Sequence, residues 1–131
     1  MQQPRLILIC GLPGSGKTTL AKQLASEARA VRLSPDEWKH SLGIDYYDED
    51  ARVRLEARLW LLAQELLALG QSVVMEHGFW AREERDELRV AGLGLGAIVE
   101  LHYLEAPVEE LWRRLDVRNQ EAAPGAVPIK Q

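Results

Sequence analysis

Leu6-Ile7-Leu8-Ile9-Cys10 runs directly into Gly11-Leu12-Pro13-Gly14-Ser15-Gly16-Lys17-Thr18, and the reading of the chain turns on this stretch. The first five residues are apolar without interruption, which predicts a central strand buried on both faces. The next eight fit the pattern GxxxxGK[ST]. From Lys17 to Arg29 the text reads as a helix with Leu20, Leu24 and Ala28 on one side. The pattern thus lies between a strand and a helix, the context that gives it physical meaning. Gly11, Gly14 and Gly16 permit backbone conformations closed to other residues, so successive N–H groups can turn inward on phosphate oxygens. The helix N-terminus behind them adds positive partial charge. Pro13, Ser15 and Thr19 complete the cradle. Lys17 is placed to reach β- and γ-phosphates, and the Thr18 hydroxyl to coordinate a magnesium ion. The implied ligand is ATP with Mg2+.

Working outward, strand-length apolar runs alternate with longer helical patterns, which predicts an α/β fold with a mostly parallel sheet. Val31-Arg32-Leu33 is a short second strand. Ser34-Pro35-Asp36-Glu37 carries an N-cap serine, a proline at the first helical position and a glutamate that closes a capping box. Ala51 to Leu69 is the clearest helix: Leu55, Leu59, Leu62, Leu66 and Leu69 lay one stripe along it, and Gly70 stops it. Val73-Val74-Met75 forms a third strand ending at Glu76-His77-Gly78. A charged helix follows from Ala81 to Val90, then a loop containing Gly92, Gly94 and Gly96, then a strand from Ala97 to Leu104. These three glycines neither follow a strand nor open a helix, so they are no dinucleotide fingerprint. Pro107 opens a last helix. Past Asn119 periodicity is lost. One domain over residues 1–120 is expected, with 121–131 a mobile tail or a chain cut short.

A chain of 131 residues makes one domain that buries roughly two thirds of its unfolded surface. Its 47% hydrophobic and 27% charged residues are ordinary for a globular protein. No apolar run approaches the ~20 residues that cross a bilayer, and the N-terminus lacks a signal-peptide pattern. Cys10, the single cysteine, excludes an internal disulfide and reads as a buried thiol, so a cytoplasmic location is expected. His40, His77 and His102 show no zinc-like spacing. Net charge is −4, without the basic footprint of a duplex-binding protein. Asp36, Glu37, Asp45, Asp48, Glu49 and Asp50 crowd the segment after the second strand, where the acceptor of any transferred group would lie.

A GTPase would carry an Asp-Gly switch and an Asn-Lys-x-Asp guanine reader, and neither is present. A large ring ATPase would need more chain and an Asp-Glu pair ending the third strand. The stretches GLPGSGKTTLAKQLA, RLSPDEW, VVMEHGFW and LHYLEAPVEELWRRLDVRN instead resemble the compact P-loop kinases grouped as AAA-type ATP-binding domains, which are related to polynucleotide 5′-kinase and chloramphenicol phosphotransferase. The resemblance spans about residues 5–120. It implies a three-layer α/β/α sandwich with a parallel sheet of order 2-3-1-4 and a short helical lid. It further implies that Asp36 accepts the proton of the attacking hydroxyl, and that Arg114 and Arg118 are lid arginines. Glu76 stands where such kinases usually place an aspartate that holds magnesium through water, a departure of one methylene.

Arg114 and Arg118, spaced i, i+4, share a helix face and could neutralise charge on a transferring phosphoryl group. Trp38, Tyr46, Tyr47, Phe79 and Trp80 either stack on an acceptor or pack the lid. The acidic rim disfavours a polynucleotide, whose binding draws on cationic contacts, and favours a neutral or cationic small molecule. The expected activity is transfer of the γ-phosphoryl group of MgATP to a small-molecule hydroxyl. A nucleotide-binding module without transfer activity, a slow ATPase and a polynucleotide 5′-hydroxyl kinase are the alternatives.

Overall fold

The computed structural model describes residues 3–11, 15–78 and 80–104. Along the chain the elements are β1 (Arg5–Gly11), α1 (Lys17–Ala28), β2 (Val31–Leu33), α2 (Pro35–Leu42), α3 (Glu49–Ala68), β3 (Val73–His77), α4 (Arg82–Gly94) and β4 (Ile98–Leu104). The four strands form one sheet in the order β2-β3-β1-β4, and every pairing is parallel. This is the order implied by the resemblance.

Side-chain parity along β1 divides the core in two. Leu6, Leu8 and Cys10 point to the face covered by Leu55, Leu59, Ala63 and Leu67 of α3. Ile7 and Ile9 point to the opposite face, where Ala21 of α1 and Val74 of β3 meet them. A strand with apolar side chains on both faces needs a helix layer on each side, and the three-layer sandwich follows. Among the described residues, no helix is long and apolar enough to cross a membrane.

Two readings of the helices need correction. The buried stripe of α3 is Leu55, Leu59, Ala63 and Leu67, with Leu62 and Leu66 only partly buried beside it. Leu69 is 83% exposed. It is the C-cap, beyond the last helical turn, where Gly70 (φ +84°) closes a Schellman turn through Gln71 N–H to Leu66 O and Gly70 N–H to Leu67 O. The charged helix also runs on past Val90, so Gly92 and Gly94 are helical rather than loop residues. Only Gly96 (φ +81°) acts as terminator, by the same turn. Gly92 serves packing: a Cβ there would stand 2.8 Å from Val99 Cγ2 and 2.9 Å from Leu6 Cδ2, so its absence lets α4 lie close on the sheet.

The outlook of residues 105–131, including the helix from Pro107 and the tail, lies outside the described residues. Within them, the two helical glycines separate packing from propensity. Gly94→Ala, with nothing within 4 Å of the new Cβ, should stabilise by about 0.5–1 kcal/mol through helix propensity. Gly92→Ala should destabilise by about 1–3 kcal/mol, because fully buried Leu6 has no room to retreat. Urea unfolding of both variants checks this, and equal effects would show that the close approach of α4 carries no energy.

Candidate active site

Parallel pairing puts the carboxyl ends of all four strands on one edge, where an open α/β sheet offers its ligand crevice. The chain leaves β1 at Gly11 and enters α1 at Lys17 through Gly16, whose φ of +89° is a left-handed conformation suited to glycine. Gly11 is required for a second reason. A Cβ at that position would meet Ser15 Oγ at 2.5 Å and Leu104 Cβ at 3.2 Å. Ser15 Oγ is buried and has no hydrogen-bond partner among the described residues, a donor suited to an incoming phosphate oxygen. Pro13 and Gly14 lie outside the described residues, as do Arg114 and Arg118.

Parity along β3 sorts the next residues. Glu76 pairs in register with Ile9 and shares the α1 face with Val74. It therefore meets the start of α1, where the Thr18 hydroxyl donates to Glu76 Oε1 at 3.2 Å. Arg32, opposite Val74 in the β2–β3 register, reaches the other oxygen: Nη1 donates to Glu76 Oε2 at 2.5 Å. Glu76 is only 4% exposed. The second Arg32 nitrogen pairs with the Glu37 carboxylate. Burial pulls the Arg32 pKa down, but the ion pairs with Glu76 and Glu37 outweigh it and hold the guanidinium above its ordinary value. His77 faces the other side, with Nε2 3.2 Å from Glu56 Oε1 and its ring stacked 4.9 Å from Trp80.

At the end of β2, Ser34 caps α2 and accepts from Glu37 N–H at 3.4 Å, with Pro35 at the first helical position. Asp36 and Glu37 thus hold the second and third positions, as the sequence predicts. The capping box is nonetheless half-formed, because the Glu37 carboxylate turns to Arg32 instead of back to the cap. Asp36 is exposed, and its Oδ1 lies 3.2 Å from Nζ of Lys39, a side chain only 8% exposed. That ammonium also sits 5.1 Å from the centroid of the Tyr46 ring.

Several of these groups line one cavity of about 400 Å³. Lys17, Asp36, Lys39, Tyr46, Tyr47 and Glu76 are among its lining residues. Arg52 and Glu56 also border it, and Arg52 is neutralised by Glu49 and Glu56. The aromatic group read from the sequence divides. Tyr46 and Tyr47 are exposed on the cavity in a T-shaped pair, 5.3 Å apart. Trp80 is core, Trp38 is not among the residues lining this cavity, and Phe79 lies outside the described residues.

Sequence reading missed Arg32, Lys39, Arg52 and Glu56. Lys39 had a signal, since i, i+3 spacing places it on the face of Asp36. Arg32 had a weaker one, a lone cation between two apolar residues of a strand. Arg52 and Glu56 belong to a different helix, and only the tertiary fold brings them to the site.

Thr18 and Glu76 present a hydroxyl and a carboxylate oxygen side by side. Hard oxygen donors of this kind suit Mg2+, which takes one or two protein ligands and completes its shell with water and phosphate. Among the described residues no group of three or more His, Cys, Asp or Glu side chains forms a metal cage.

Fold and loop together define a P-loop nucleotide-binding protein of the kinase-like class. The chain belongs to the AAA domain family, whose profile matches residues 6–131. Among solved structures, a protein from Chloroflexus aurantiacus proposed to be a kinase shares 28% identity, with a TM-score of 0.71 over 95% of this chain and 72% of that one. A chain of the Pnkp1/Rnl/Hen1 complex shares 20% identity and a TM-score of 0.76; all of this chain corresponds to 42% of it. The Mycobacterium tuberculosis APS kinase CysC, solved with AMPPNP and APS, shares 21% identity and a TM-score of 0.65, covering 100% of this chain and 84% of its own. The last two likenesses speak to fold alone. Among curated proteins no sequence match was found.

Nucleotide binding has a stability consequence. MgATP at 100 times its dissociation constant should add ~2.7 kcal/mol, a rise in melting temperature on the order of 10 °C for a domain of this size. Lys17→Ala should lose most of that shift in a thermal scan. A parent protein that does not respond to millimolar MgATP would contradict the reading of the loop.

Proposed function

We propose that this protein transfers the γ-phosphoryl group of MgATP to a hydroxyl of a small molecule, acting in the cytoplasm. One observation carries the reading: Lys17 of the phosphate loop and the Asp36 carboxylate line the same cavity, with Glu76 beside them. In this assignment the loop residues Gly11 to Thr19 hold the phosphates and Lys17 neutralises the oxygens of the transferring group. Thr18 and Glu76 would hold Mg2+, which when bound offsets charge on the β- and γ-oxygens.

Asp36 is the base. Lys39 engages its Oδ1, which leaves Oδ2 to accept the proton of the acceptor hydroxyl. The acceptor oxygen then bonds to the γ-phosphorus as the bond to the β,γ-bridging oxygen breaks, and ADP leaves with that electron pair. Arg114 and Arg118 are assigned to the charge on the transferring group by the resemblance given above.

The walls of the cavity bear on the acceptor. Lys39 is paired with Asp36, and Arg52 with Glu49 and Glu56. These cations are already compensated, which supports a neutral or cationic acceptor over a polyanionic strand. Tyr46 and Tyr47 offer exposed rings against which it can stack.

The test is an acceptor screen that follows ADP release with sugars, amino alcohols, aromatic alcohols and 5′-hydroxyl oligonucleotides. A small alcohol should be phosphorylated, and Asp36→Asn should lower turnover ~10²–10⁴-fold with MgATP binding retained. Asp36→Asn within about threefold of the parent would overturn the assignment of the base. MgATP binding without transfer to any acceptor would favour a nucleotide-binding module, and phosphorylation of oligonucleotides alone would favour a polynucleotide kinase.

A further inference from the structure

Glu76 is a buried carboxylate at the point where a strand end meets the phosphate loop. Its side chain has three rotatable bonds, and a single hydrogen bond from Thr18 does not fix them. A rotated Glu76 would turn Oε1 away from Thr18 and be a poor partner for a hard cation.

We propose that Arg32 is a positioning residue for this carboxylate: from the middle of β2 its guanidinium holds Glu76 Oε2, so that Oε1 stays turned toward Thr18. The proposal rests on the MgATP reading above. Three observations carry it. The two oxygens of Glu76 are divided between two partners, Oε2 to Arg32 Nη1 at 2.5 Å and Oε1 to Thr18 Oγ1 at 3.2 Å. Arg32 is itself largely buried, with 15% of its side chain exposed, so it is held in place. Its planar fork gives one nitrogen to the buried Glu76 and the other to the more exposed Glu37, so the contact with Glu76 is the one shielded from water. Arg32 touches neither nucleotide nor metal in this scheme and acts through Glu76 alone.

A purely structural ion pair joining β2 to β3 would lower the melting temperature when broken and leave the magnesium requirement unchanged. A positioning role moves that requirement. The measurement is ATP binding by calorimetry across a Mg2+ titration, with an EDTA arm for metal-free ATP and a melting scan of each variant. Arg32→Gln should raise the Mg2+ midpoint about tenfold or more, the usual cost of losing a partner that orients a metal ligand, with metal-free ATP affinity within about twofold of the parent. Glu37→Gln, which cuts the exposed half of the bridge, should leave the midpoint within about twofold.

Arg32→Gln strands a buried carboxylate and can fail to fold, so Glu76→Gln and the double variant Arg32→Gln/Glu76→Gln complete a cycle. If Arg32 acts only through Glu76, the single Glu76→Gln and the double variant share one Mg2+ midpoint. A double variant about tenfold worse than Glu76→Gln overturns the proposal. So does an unchanged midpoint in a folded Arg32→Gln, or an equal rise in Glu37→Gln. A parent that binds ATP without regard to Mg2+ overturns instead the reading on which the proposal rests.

Discussion

Leu6 through Cys10 of β1 are each at most 1% exposed, and that burial on both faces is the constraint on which the rest of the molecule depends. A strand with no solvent face must be flanked by strands and covered by helices. It can then deliver its next residues only to the edge of the sheet. Gly11 at the strand end and Gly16 to Thr18 at the start of α1 are placed there by necessity. Period-two parity does the remaining sorting: Glu76, in register with Ile9, is turned to the α1 side, and His77, in register with Cys10, to the α3 side. The same parity that builds two cores thus decides which acid meets the phosphate loop.

Charge at the site is compensated locally. Thr18, Glu76, Arg32 and Glu37 form one connected series, and Asp36 with Lys39 a second. The buried charges of these series, Glu76 and Lys39, and the largely buried Arg32 each have a partner of opposite sign, as burial requires. Both series end at the start of α2, so the helix that carries Asp36 is tied through Glu37 and Arg32 to the acid beside Thr18. This arrangement supports reading metal acid and base as two parts of one site. It also explains why Glu37 does not complete its capping box: a charged guanidinium is a stronger partner for a carboxylate than a neutral backbone N–H.

The fold was legible because it rests on local signals. An unbroken apolar run, a glycine loop in strand–helix context and Ser34-Pro35 each encode their own conformation within a few residues. The strand and the helix that flank the glycine loop were legible for the same reason. What escaped notice depended on register or on distance. Arg32 reaches Glu76 only because β2 pairs with β3 at Leu33↔Met75, a register no local pattern states. Arg52 and Glu56 come to the cavity from α3. The glycines after Val90 misled because glycine is ambiguous: in one short segment Gly96 ends a helix while Gly92 lets the same helix approach Leu6 and Val99. Leu69 misled because apolar spacing continues one step beyond the turn that ends the helix.

The central claim is that the strand ends hold MgATP with its γ-phosphate directed into the cavity that contains Asp36. A crystal structure with magnesium and a non-hydrolysable ATP analogue tests it most directly. The account predicts phosphates on the backbone N–H groups around Gly16 and Lys17, and Mg2+ about 2.0–2.1 Å from Thr18 Oγ1. It also predicts Glu76 Oε1 within one water of the ion, Arg32 still on Oε2, and the γ-phosphate facing Asp36. Phosphates outside the loop, a metal liganded away from both Thr18 and Glu76, or a γ-phosphate directed away from Asp36 would contradict it.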